Sequence, residues 1–213
     1  MSGDYIRVML LKIPAILFAL TFHECAHGWV ATRLGDPTPG MLGRVTLNPL
    51  RHLDFVGTIA LFVTGMFGWA KPVPINPRNF RNPSRDMMMV ALAGPAANLF
   101  LALASAVIYK FMLNASYAPG VASSFFVGPL FAMVKISIIV NVALAVFNLL
   151  PVPPLDGSRV LSHFLPAGKA LGYSRLEPYG FLILVALITT GVVNTVVSPL
   201  VFYTVKLLVS GAV

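Results

Sequence analysis

The chain has 213 residues, 57% of them hydrophobic and 10% charged, with a mean hydropathy of +0.84. Soluble domains carry about 25% charged residues, so this composition excludes an ordinary soluble domain and predicts an integral membrane protein. The formal net charge of +8 is then a matter of membrane topology and not of nucleic-acid binding, for which no partner is expected. The single Cys25 excludes an intramolecular disulfide.

A spanning helix needs about 20 apolar residues. The first candidate covers about residues 5–33. It is read as a retained helix and not a cleaved signal, because no small-residue cleavage site follows it. Inside it, residues 23–27 read HECAH. His23 and His27 are four apart and share a helix face, where two imidazoles can hold a zinc ion, and Glu24 beside them can act as general base. Polar groups at that depth are costly unless they have a use. Cys25 points elsewhere on the helix and is read as a small apolar filler.

Residues 34–86 are rich in Pro, Gly and Asn and are expected to form turns and short strands at the membrane surface. Within them Phe55–Trp69 is apolar but short; its Gly57, Thr58, Val63, Thr64, Gly65 and Gly68 suggest strand or re-entrant structure. Further spans are expected at about Met87–Met112 and Phe125–Leu150. Tyr179–Val213 is read as two short helices broken near Gly191–Asn194. Ten of the fifteen Lys and Arg, from Arg33 to Arg85 and from Arg159 to Arg175, fall in the loops after the first and third spans. The positive-inside rule puts those loops in the cytoplasm and the N-terminus outside. Lys12 and Lys135 fall inside spans, where they snorkel or face a polar cavity.

Catalytic zinc keeps three protein ligands and one open position, so His23 and His27 need a partner. Asp156 follows the third span directly, on a chain broken by Pro151, Pro153 and Pro154. Irregular backbone near membrane depth is tolerated where it lines a cavity, which suits a ligand; an ordinary Asp-Gly turn fits the residues equally well. His52 is a weaker ligand candidate in the polar loop, and His163 has no assigned role.

HECAH followed far downstream by Asn148-Leu149-Leu150-Pro151-Val152-Pro153-Pro154-Leu155-Asp156-Gly157 resembles the site-2 protease family of intramembrane zinc metalloproteases. Asn48-Pro49 with His52 and Asp54, the segment Gly68–Phe80, and Gly94-Pro95 with Asn98 agree, so the resemblance covers about residues 20–160. It implies one Zn²⁺ held by His23, His27 and Asp156, with Glu24 as base, in a three-helix catalytic core with the site a little below the cytoplasmic surface. Asn148 matches a family Asn and is the first candidate for oxyanion donor; Asn98 is the second, and its other reading is interhelical glue. No helix before the motif and no PDZ or CBS domain is evident, and Gly157-Ser158 replaces a Gly-Gly found in many members.

The expected fold class is therefore an all-α integral membrane protein: a polytopic helical bundle with a short membrane-associated β-strand region between the first two spans. A single domain covers 1–213, with a core at about 5–160 and C-terminal helices at about 178–211. The expected activity is hydrolysis of peptide bonds in or near transmembrane segments of membrane proteins. The substrate is expected to be a single-pass helix, the enzyme lies in a lipid bilayer, and a prokaryotic cytoplasmic membrane is the expected location. The alternative is a non-catalytic membrane zinc-binding protein, either a transporter or an inactive relative; Glu24 favours the enzyme, since transport needs ligands but no adjacent base.

Overall fold

The computed structural model describes residues 3–64, 68–116 and 127–210. Helix α1 (Gly3–Arg33) carries HECAH. It ends where Gly35 takes φ 109°, and Asp36 N and Gly35 N donate back to the carbonyls of Ala31 and Thr32. Only glycine adopts that left-handed turn at little cost, so the stop is local in origin.

The segment between α1 and the next long helix departs from expectation. Among the described residues there is no strand, only an isolated antiparallel bridge between Leu53 and Ala70. Helix α2 (Thr38–Met41) and single 3-10 turns at Pro49–Arg51 and Pro77–Asn79 fill the surface loop. Each 3-10 turn starts at an Asn, Asn48 or Asn76, whose side chain accepts from the backbone N–H two residues on. The apolar stretch expected to be strand or re-entrant is helix α3 (Phe55–Thr64); its Gly65 lies outside the described residues. Asp54 caps α3, accepting from Gly57 N at 2.8 Å. The physical reason is that an apolar segment satisfies all its backbone groups within itself only as a helix. On the other side of the Leu53–Ala70 bridge, Pro72 has no N–H with which to extend a ladder.

Helix α4 (Pro83–Ser116) opens with Pro83 at its first position. Asn82 Oδ1 accepts from Arg85 N, and Asp86 Oδ2 accepts from Asn82 N. Helix α5 (Val127–Asn148) follows, and α1, α4 and α5 pack on one another. Their contact faces carry small residues: Ala19, Ala102 and Ala145 are wholly buried. Without a hydrophobic drive between helices in lipid, close approach at small residues supplies the packing. Large residues point the other way, as with Phe100, Phe111 and Val107 on α4.

After α5 the chain breaks at Pro151–Pro154, with a cis Pro153–Pro154 bond, and restarts as α6 (Asp156–Phe164). Helices α7 (Ala167–Ser174) and α8 (Gly180–Thr189) follow, then a turn at Gly191, φ 78°, and α9 (Val192–Ser210). The expected break near Gly191 and the two C-terminal helices are both present. Five stretches among the described residues are long and apolar enough to span: Met9–Arg33, Pro83–Ala115, Val127–Asn148, Ala167–Thr189 and Val192–Ser210.

Candidate metal centre

Helical periodicity puts His23 and His27 on the face of α1 that meets α4, and both are buried. The break after α5 turns α6 back toward them. Gly157 permits this turn, because a Cβ there would run into the Leu149 carbonyl. Asp156, the first residue of α6, thereby sets Oδ2 at 3.2 Å from His23 Nε2 and 3.3 Å from His27 Nε2. The two Nε2 atoms are 3.0 Å apart.

Hydrogen bonding fixes what those atoms are. His27 Nδ1 lies 2.7 Å from the Val90 carbonyl, which can only accept, so Nδ1 is the donor. Asn98 Nδ2 donates to the Ala19 carbonyl at 3.1 Å, so its other end, Oδ1, faces His23 Nδ1 at 2.6 Å and must accept from it. Both Nδ1 atoms carry protons in the neutral rings, and both Nε2 atoms are lone pairs. Asp156 Oδ2 is buried and receives no hydrogen bond. Asp156 faces those lone pairs as a carboxylate, a third group that can only accept. Three acceptors therefore converge with no donor among them, an arrangement a cation satisfies. Tetrahedral zinc with bonds of about 2.0–2.1 Å sets ligand atoms about 3.3 Å apart, close to the spacing here. Among the described residues, His23, His27 and Asp156 form the one group of three or more candidate ligands close enough to share an ion.

Glu24 is held beside the ligands, its Oε2 accepting from Val73 N at 3.1 Å. The segment bearing Val73 is fastened from both ends. Buried Arg44 donates to the carbonyls of Arg51, Lys71 and Pro72. Asp36 accepts from Thr38, from Asn76 N at 2.7 Å and from Asn79 Nδ2 at 2.7 Å. Burial raises the Asp36 carboxyl, but those donors outweigh it and hold it below the usual carboxylate range.

A cleft of about 580 Å³ opens over the site, lined by Glu24, Trp69, Val73, Asn148, Asp156 and Phe181 among others. Asn148 thus faces the cleft, with Nδ2 donating one proton to the Leu144 carbonyl. Asn98 is wholly buried and does not line it. His52 stays apart from the ligands: it is buried, with Nε2 at 2.8 Å from the Thr46 carbonyl. His163 pairs with Ser84 at 3.0 Å. Trp69 and Phe181 meet edge to face across the cleft, with centroids 6.2 Å apart. The roles of Asn141, Arg44 and Asp36 are not evident from sequence motifs, whereas Gly94, with Ala96 and Ala97, already stands out around Asn98 as part of a close helix-packing face. Asn141 had left a signal, a lone amide in an apolar span.

A three-acceptor centre with a neighbouring carboxylate, inside a bundle of spanning helices, defines an intramembrane metallohydrolase. The profile of peptidase family M50 matches residues 12–191. "Putative zinc metalloprotease YwhC" of Bacillus subtilis is 37% identical over 195 residues, 92% of this chain and 87% of that protein. "Putative zinc metalloprotease Rip2" of Mycolicibacterium smegmatis is 29% identical over 94% of this chain and 74% of its own length; the protein of the same name from Mycobacterium tuberculosis H37Rv is 29% identical over 87% and 70%. No solved structure gives a significant match. The chain belongs to peptidase family M50, the site-2 proteases, and is an intramembrane zinc metalloprotease.

Proposed function

We propose that His23, His27 and Asp156 hold one zinc ion and that Glu24 is the general base of a protease acting on single-pass membrane helices. The observation that carries the ligand set is the meeting of two Nε2 lone pairs and an orphaned, buried Asp156 Oδ2 within 3.3 Å. Zinc bound there supplies Lewis acidity, which polarises a peptide carbonyl and makes a water molecule acidic near neutral pH.

The chain's own groups do the rest. Val73 N–H occupies Glu24 Oε2, which aims the carboxylate and leaves Oε1 to take a proton from the attacking water and pass it to the leaving amine. Asn148 has a second Nδ2 proton beyond the one given to Leu144, and it donates to the developing oxyanion. Asn98, walled off from the cleft, acts on His23 and not on substrate. A helix hides its carbonyls in its own hydrogen bonds, so the substrate unwinds locally before it enters the cleft.

The clustering of Lys and Arg in the loops beside the cleft supports a site that faces the cytoplasm, and a prokaryotic inner membrane is the setting proposed for it. The test is Glu24→Gln in purified protein with a single-pass substrate. Zinc content is expected to stay at the parental level while turnover falls about 10²–10⁴-fold. Undiminished cleavage by that variant would refute the base assignment, and undiminished zinc in a His23→Ala, Asp156→Ala double variant would refute the ligand set.

A further inference from the structure

The two histidines are held in unlike ways. His27 Nδ1 bonds to a backbone carbonyl, Val90, at 2.7 Å. His23 Nδ1 bonds to a side chain, Asn98, and behind Asn98 the polar contacts continue. Asn98 Nδ2 donates to Asn141 Oδ1 at 2.9 Å as well as to the Ala19 carbonyl. Asn141 Nδ2 donates in turn to the Ser137 carbonyl at 2.9 Å and to Ser137 Oγ at 3.3 Å. Ser137 Oγ meets Ser105 Oγ at 3.0 Å. The chain of bonds runs from α1 through α4 to α5. Asn98 and Asn141 are both wholly buried.

The directions of both amides in this chain are determined. Asn141 must present Oδ1 to Asn98, because its Nδ2 faces a carbonyl that can only accept. Asn98 must therefore present both Nδ2 protons to Asn141 and Ala19, and Oδ1 to His23. A flipped Asn98 would set its oxygen against two acceptors and its amide against the His23 N–H. With no water in the hydrocarbon to compensate, a mispaired amide there is costly. Ligand imidazoles are oriented by the partner of their other nitrogen, and losing such a partner typically costs about 10–100-fold in metal affinity.

We infer that Asn141 is a positioning residue for the metal centre: through Asn98 it holds the amide orientation that keeps His23 in its Nδ1–H tautomer with Nε2 bare. The inference rests on the proposed zinc site. Because the hold on His27 is backbone, the side-chain route through Asn98 and Asn141 is where substitution can tune zinc affinity without touching a ligand.

The experiment measures zinc affinity by chelator competition on the full chain in nanodiscs, with the visible spectrum of the cobalt(II)-substituted protein as the geometric readout. Asn141→Leu is expected to weaken zinc about tenfold and shift the cobalt bands, and Asn98→Leu to weaken it about 10–100-fold. In the Asn98→Leu background, adding Asn141→Leu is expected to have no further effect on zinc, since both act by one route. Ser105→Ala, at the far end of the chain, is expected to leave affinity and spectrum as in the parent. Asn141→Ala is measured in parallel, with the same expected direction, should the leucine variant fold poorly. Parental affinity and spectrum in the Asn141 variants, with only a lowered melting temperature, would make Asn141 interhelical glue and overturn the inference. An undiminished Asn141→Leu effect without Asn98 would overturn it too. A parent that binds no zinc would instead sink the zinc assignment itself, a different and recognisable result.

Discussion

Gly94 on α4 stands directly against the His23 imidazole: a Cβ there would lie 2.6 Å from His23 Nε2 and would also strike His27 Nε2. The absent side chain is what lets α4 close over the ligand face of α1. Gly94→Ala is expected to push the imidazoles or the helix aside, at a cost of about 1–3 kcal/mol, and to weaken zinc at least about tenfold. Gly128→Ala, where a Cβ meets nothing within 4 Å, serves as control. Equal zinc content and chelator resistance in the two variants would contradict the close-approach argument.

Asn148 and Asn98 separate two kinds of asparagine. Asn148 faces the cleft, so Asn148→Ala is expected to keep zinc and the fold and to lose about 10²–10³ in kcat, as for a missing oxyanion donor. The check is single-turnover cleavage alongside metal analysis. A change confined to KM would assign Asn148 to substrate binding instead.

Arg44 reaches the chemistry at one remove, since the carbonyls it binds lie just before Val73 and Val73 N–H holds Glu24. Arg44→Met is expected to retain zinc and lose about 10–100-fold in kcat as the base drifts from its attack geometry. Arg44→Lys, a point charge in place of a five-donor fork, is expected to fall between. Parental turnover in Arg44→Met would show that Glu24 is aimed without the Val73 segment.

Asp36 sets an acid limit on the loop. Its carboxyl sits below the usual range in the folded state. Its stabilising contribution is therefore complete above the unfolded value of about 3.9 and is lost as pH falls through the lower folded value. Melting temperature between pH 6 and pH 3 is expected to drop more steeply in the parent than in Asp36→Asn. That variant starts lower, by about 1.5–3 kcal/mol for hydrogen bonds to a charged group. Parallel curves would refute the assignment.

What the sequence determined by itself is what depends on near neighbours along the chain. The spans follow from length and apolarity. The pairing of His23 with His27 follows from helical period, and the chain stops from Gly35, Pro151 and Gly191. Asp156 could be read from residues only as one of two options until its motif was set beside HECAH. The tertiary structure decided the rest. It made Phe55–Thr64 a helix, because an apolar stretch must satisfy its own backbone groups. It set Asn98 behind His23 and Asn148 in the cleft, although both are lone amides in apolar helices. It joined Arg44 and Asp36 to a segment far along the chain. These outcomes depend on how each helix is rotated and how closely α4 approaches α1, quantities set by packing at Gly94 and the buried alanines and not by any local pattern.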